Sequence, residues 1–178
     1  LAELFNQPAA FVRALHGLLG LYSDRTHRPG QSGTPPPLVT AYNVPRPVLH
    51  HIQRELNPII PQDQGQTLDL CKALWAEPYF EFRVLAAYLL GRASVTPPEA
   101  IFAMLTSWLA SKPEDRILGI LLDEGLSRMR QEYPEKLLEI AKEWLQEASI
   151  EPKQNAIQIL RPLAKESNFN HLPKIFQL

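Results

Sequence analysis

The chain is poor in cysteine, in net charge and in long apolar runs, and each shortage closes off a class of protein. Cys71 is the only cysteine among 178 residues. An intrachain disulfide and a thiolate zinc site are therefore excluded, and a reducing, cytoplasmic setting is expected. Eighteen Lys and Arg against 19 Asp and Glu leave a net charge of −1, which argues against a strongly basic nucleic-acid binder while leaving room for a local basic stripe. Apolar stretches such as Val84 to Leu90 fall far short of the roughly 20 residues that span a membrane. No basic stretch precedes an apolar one at the start, so neither a membrane segment nor a signal peptide is expected. What the chain has in excess is proline, 17 residues in all, nearly twice the ordinary usage of about 5%.

The prolines lie between apolar-periodic segments. Arg28 to Pro37 (RPGQSGTPPP) is too rich in Pro and Gly for a helix or central strand and reads as a mobile loop. Before it, Asn6 is placed to cap a helix opened by Pro8 and carrying Phe11, Val12, Leu15, Leu18 and Leu19. After it, Asn43, Pro45 and Pro47 open a helix with Val48, Ile52 and Leu56. Ile101, Met104, Leu105, Trp108 and Leu109 follow the i, i+3, i+4, i+7, i+8 spacing of an amphipathic helix, as do Leu118, Leu121, Leu122 and Met129. No run alternates as a strand would, so an all-helical fold is expected.

Trp75, Trp108 and Trp144 each close an amphipathic segment: LDLCKALW, AIFAMLTSW and LLEIAKEW. Each is followed by a short polar break and a second apolar segment: FEFRVLAAYLL, EDRILGILL and KQNAIQIL. Three core tryptophans in an ordinary bundle is the competing explanation, but the flanking apolar pattern recurs as well. The expectation is an all-α stack of HEAT-like helical hairpins forming a short superhelix. Residues 65–178 would supply the pairs, and residues 1–64, including the loop at 28–37, would cap the stack within one domain. Such a slab usually binds along its concave face.

The residues then suggest a family. YNVPRPVLHHIQREL, from Tyr42 to Leu56, resembles the opening "G-hydrophobic-x-x-P-x-x-R" segment of the AlkD-like DNA alkylation-repair glycosylases. KALWAEPYFEFRVLAAYLL, from Lys72 to Leu90, is more similar still to their "LW-x-x-P-x-x-E-x-x-x-A-A-L" helix pair, the most specific of these motifs. Ser107 and Trp108 match the start of "S-W-W-D-x-x-D", and Tyr133 to Leu160 matches the rhythm of the "HPEL…W…S-x-x-W-L-x-R-x-A-I" region. The resemblance covers most of residues 42 to 163. It implies a stack of HEAT-like pairs with a positively charged DNA groove, in which tryptophans and an Asp remove alkylated bases while an Arg holds the backbone.

The matched chemical positions depart from that pattern. Leu109 stands for the second Trp, Pro113 for the catalytic Asp, Glu151 for a later Trp and Gln154 for the Arg. Asp115 lies two residues past Pro113 and would serve as the acid only if the loop were rearranged. As a residue following Pro113 at a helix start, it reads first as an acid favoured by the helix dipole. The family's last repeats, which supply another groove tryptophan, have no counterpart before Leu178.

The remaining candidates are few. His50 and His51 are adjacent, so on a helix they diverge by about 100° and cannot share a metal. His16, His27 and His171 have no partner at helical spacing, and no HExxH, GxSxG, Walker or GxGxxG pattern occurs. Neither a metal nor a cofactor is expected. Cys71 sits on an apolar helix flank and reads as an inert buried thiol. Arg46, Arg54, Arg83, Arg92, Arg116, Arg128, Arg130 and Arg161 are spread over successive helices, with Arg83 and Arg116 at comparable places. A shared ridge for phosphates competes with a solvated surface paired to Glu81, Glu114 and Asp115, which is the favoured alternative. The tryptophans are read as packing before base stacking. Arg46, Arg83, Trp108 and Arg116 are the candidate binding residues and Asp115 the weak catalytic candidate. The expected function is a non-catalytic or degenerate scaffold binding DNA weakly, or a protein partner, on the concave face; the alternative is an active glycosylase.

Overall fold

The structure, a computed structural model, describes residues 1–23, 40–60 and 64–164. Among these, nine α-helices account for nearly all regular structure: α1 (Pro8–Tyr22), α2 (Arg46–Leu56), α3 (Gln64–Trp75), α4 (Phe80–Leu90), α5 (Pro98–Ala110), α6 (Asp115–Glu124), α7 (Ser127–Glu132), α8 (Pro134–Gln146) and α9 (Ile150–Leu163). Extended pairing among the described residues is limited to one isolated bridge, Thr40 with Tyr79. The loop expected at 28–37 lies outside the described residues, as do His27 and His171.

Proline explains where several helices begin. Pro8, Pro47, Pro98 and Pro134 stand in the first two positions of α1, α2, α5 and α8, where the ring's fixed φ suits the helix and the missing N–H costs nothing. Side-chain capping is not used at these starts. The cap residue of α1 is Gln7, not Asn6. Asn43 does not open α2; it occupies a left-handed turn, φ 54°, and Pro45 takes the cap position. The apolar pattern running from Leu118 to Met129 is also divided, because α6 ends at Glu124 and α7 restarts at Ser127.

The fold is an all-helical repeat. α3 packs on α4 and α8 on α9, while the second helices α4, α6 and α9 pack on one another in a row. α1 lies against α3, and α2 against α4. The centre of this row is α4, whose Phe82, Leu85, Ala86, Ala87, Leu89 and Leu90 are all buried. A helix apolar on nearly every side must be enclosed on nearly every side, and α2, α3 and α6 do so. Among the first helices, α3 and α5 meet through Trp75 and Trp108. Their rings are stacked at 4.1 Å between centroids and 1° between planes, and they are only 7% and 5% exposed. Trp144 breaks the equivalence of the three tryptophans, being half-buried beside Leu109 and Lys112.

Gly91, just after α4, sits where the chain crowds most tightly. A Cβ there would lie 1.8 Å from the Glu124 carbonyl oxygen. The Gly91 carbonyl accepts from the Ser127 hydroxyl at 2.9 Å and from the Arg128 N–H at 3.3 Å. This close approach docks the start of α7 onto the end of α4.

Candidate nucleic-acid interface

The first turns of the second helices carry a short cationic ridge. Arg116, at the start of α6, places its guanidinium 4.3 Å from the centre of the Phe80 ring at the start of α4. Arg83, one turn beyond Phe80, lies 5.5 Å from the Trp75 ring centre, and its Nε donates to the Glu77 carbonyl at 3.3 Å. Residues i and i+3 share a helix face, so Phe80 links the two arginines into one surface. Both cations rest on aromatic faces, which holds the guanidinium planes while leaving edges to solvent. Phe80 as the platform escaped sequence reasoning, since an aromatic at a helix start carries no periodic signal of that role.

The acids expected to pair with this ridge behave otherwise. Glu81 is only 2% exposed and pairs with backbone. Its carboxylate oxygens accept the N–H of Tyr42 at 3.0 Å and of Asn43 at 2.8 Å. The left-handed turn at Asn43 turns successive N–H groups toward one anion. Glu81 is the acid of the LW-x-x-P-x-x-E unit, and that motif was the one signal pointing to a special role. Asp115 lies exposed in the first turn of α6, beside the favourable end of the dipole, and neither it nor Glu114 makes a capping hydrogen bond.

Behind the ridge, the segment preceding α2 is pinned to the α3–α4 turn. His16 of α1 bonds the Tyr42 hydroxyl through Nδ1 at 2.6 Å and Glu77 through Nε2 at 3.0 Å. Tyr42 stacks on Tyr79 at 4.7 Å, and the Phe80 N–H donates to the Thr40 carbonyl at 2.9 Å. Burial pushes the Tyr42 phenol above its ordinary value, with Tyr79 and the carboxylates of Glu77 and Glu81 adding to the rise. No spacing in the sequence joins His16 to residues 42 and 77; only the packing of α1 on α3 does.

Of the positions matched to the family's catalytic region, Leu109 and Glu151 come together at another place, while Pro113 and Gln154 are not part of that lining. Leu109, Lys112, Trp144 and Glu151 line an open groove between the end of α5 and the start of α9. Lys112, in a left-handed conformation with φ 49°, reaches across to Glu151 at 3.4 Å. Both partners are well exposed, so this pair adds little stability. Arg46 is exposed in the first turn of α2. Cys71 is fully enclosed, and burial raises its thiol far above the ordinary range, which leaves it inert.

Among the described residues there is no group of three or more His, Cys, Asp and Glu that could hold a metal. None of the described helices is long and apolar enough to cross a membrane. A sequence model of a family described as DNA alkylation repair enzyme matches residues 37–178. Comparison with curated proteins and with solved structures gave no significant match.

Proposed function

The chain belongs to the DNA alkylation repair enzyme family, and from that premise we propose that it is a binding scaffold of the family that engages the DNA backbone weakly and does not excise bases. The observation that carries this reading is the fate of Trp108. Its indole is stacked face to face on Trp75 with 5% of the residue exposed, so neither face is offered to a base. Pro113 occupies the position where the family pattern has its acid, and a proline supplies no charge to an oxocarbenium-like transition state. Loss of one positioned charged or hydrogen-bonding group typically slows a catalysed step by about two to three orders of magnitude.

Arg83 and Arg116 are the residues this proposal assigns to phosphates, with Arg46 as a separate contact at the start of α2. The two ridge contacts by themselves imply a slope of about −1.8 in log affinity against log salt, or roughly a tenfold loss between 50 and 200 mM, and a third contact at Arg46 would steepen it to about −2.7. The active-enzyme alternative rests on Asp115, an exposed carboxylate adjacent to Arg116 at the start of α6.

One experiment separates the two. Binding to alkylated and unmodified duplex is titrated at several salt concentrations, and base release from the alkylated duplex is followed in parallel. The scaffold reading expects no release above background and a shallow salt slope, reduced by about one unit in Arg83→Gln or Arg116→Gln. Robust release that Asp115→Asn abolishes would make the chain an active glycosylase. Absence of any salt-dependent binding would remove DNA as the partner.

A further inference from the structure

At the far end of α4 from the ridge, a second pair of arginines frames a recess of about 460 Å³ between the end of α2, Gly91 and α7. Arg92 follows Arg83 by nine residues, ~14 Å along a helix axis, so this site is distinct from the proposed DNA contacts and does not rest on them.

Both guanidiniums are held from behind. Arg92 lies 3.5 Å over the Tyr88 ring, and its Nη1 donates to the Tyr88 carbonyl at 3.3 Å. Arg128 directs Nη1 to the Arg92 and Ala93 carbonyls at 3.3 and 3.4 Å. These contacts use the carbonyl-facing edges. Among the described residues, Nε and Nη2 of Arg92 and Nη2 of Arg128 have no protein acceptor. Asn57 and Gln131 add amide groups to the lining. The competing anions are Glu132, 2.6 Å from Arg128 Nε, and Glu124, a looser 3.6 Å from Arg92.

We propose that this recess binds a phosphate monoester. Glu132 is the reason for naming the monoester. A tethered carboxylate already offers Arg128 one negative charge, so a diester or a free carboxylate would only exchange one monoanion for another. A monoester carries about −1.5 to −2 charges at neutral pH and three acceptor oxygens. It can engage both forks while Glu132 swings to solvent, where the side chain is already 40% exposed. Two fixed guanidinium forks suit a tetrahedral anion better than flexible ammonium groups would. The same chemistry is carried by a free mononucleotide or sugar phosphate and by the phosphorylated end of a nucleic-acid strand.

The test is an amide- and arginine-resolved NMR titration of the full chain with inorganic phosphate, adenosine monophosphate, adenosine, and a short single strand with and without a 5′-phosphate. Saturable shifts at Gly91, Arg92, Ser127 and Arg128 are expected with phosphate and the monophosphate but not with adenosine. A stronger response to the phosphorylated strand than to the monophosphate assigns the site to strand ends; the reverse assigns it to free nucleotides. Affinity should fall as the pH drops through the second phosphate ionisation near 6. Arg92→Gln or Arg128→Gln should weaken binding by about tenfold or more. Because Arg128 also ties α7 to α4, Glu132→Gln is the variant that cannot be dismissed as misfolding: it should tighten binding several-fold. Shifts centred on Arg83 and Arg116, equal responses to adenosine and its monophosphate, or unchanged or weaker binding by Glu132→Gln would each overturn the assignment.

Discussion

Replacing Glu81 by Gln changes one atom's identity and removes one charge, and the structure allows the cost to be worked out. The carboxylate is 2% exposed, and its oxygens accept from two consecutive backbone N–H groups at 3.0 and 2.8 Å. Hydrogen bonds to a charged group are worth about 1.5–3 kcal/mol each, against about 1 kcal/mol for a neutral one. In Gln one oxygen still accepts, but the amide nitrogen faces the other N–H, donor against donor. An unmet buried donor costs a further 1–3 kcal/mol or so. Relief from burying a charge offsets part of this, leaving a net loss of about 3 kcal/mol. With a urea m-value of about 2 kcal/mol/M, the midpoint should fall by roughly 1.5 M. Equilibrium urea unfolding followed by far-ultraviolet circular dichroism measures that shift. Hydrogen exchange of the Tyr42 and Asn43 amides reports the contact directly, with protection in the native protein and loss of it in Glu81→Gln. A variant as stable as the parent, or amides unprotected in the parent, would refute the clamp and return Glu81 to the surface role that its neighbouring arginines suggest.

Trp108→Ala should cost about 3–5 kcal/mol as a large enclosed side chain is deleted, and a double-mutant cycle with Trp75→Ala should return a coupling of about 0.5–1.5 kcal/mol for the stack. Gly91→Ala should destabilise strongly, by about 3 kcal/mol or more, because the new methyl meets the Glu124 carbonyl at 1.8 Å. Gly119→Ala, in the interior of α6 with nothing within 4 Å of the new methyl, should instead stabilise by about 0.5–1 kcal/mol; thermal melts of the two variants should move in opposite directions. Stability should also decline in alkali. The Cys71 thiol and the Tyr42 phenol are raised by burial from ordinary values of 9.0 and 10.0, so above those values the unfolded chain loses protons that the native chain keeps, and folding free energy falls as pH rises. Urea midpoints measured from pH 7 to 11 should therefore drop from about pH 9, with Cys71→Ala removing the early part of the slope and Tyr42→Phe the later part.

The positions of α4 and of the helix pairs were legible because their signals are local. The apolar run Phe80 to Leu90 coincides with α4, and the tryptophan-closed segments end α3 and approach the ends of α5 and α8. Proline starts were legible for the same reason, since a fixed φ acts on its own residue. Capping was misread at Asn6 and Asn43, where the favoured residue type was present but the chain took a different turn. The break at Gly125 was missed because apolar spacing continued across it. Of the candidate interface, one arginine on each of two successive second helices could be read, although Arg83 is the fourth residue of α4 and Arg116 the second of α6. Their supports, Phe80 under Arg116 and Trp75 beside Arg83, could not.

What the amino-acid order determined alone is therefore the helical class and the pairing of segments, because each depends on residues within a turn or two of one another. What only tertiary packing decided is which polar groups are used. His16 reaches Tyr42 and Glu77 because α1 lies on α3. Glu81 is withdrawn from the surface by the turn at Asn43, and Trp108 is withdrawn by Trp75. Arg92 and Arg128 share a recess because Gly91 lets α7 approach. Each of these joins residues far apart in the chain, where burial and the reach of a hydrogen bond, not spacing, select the partner.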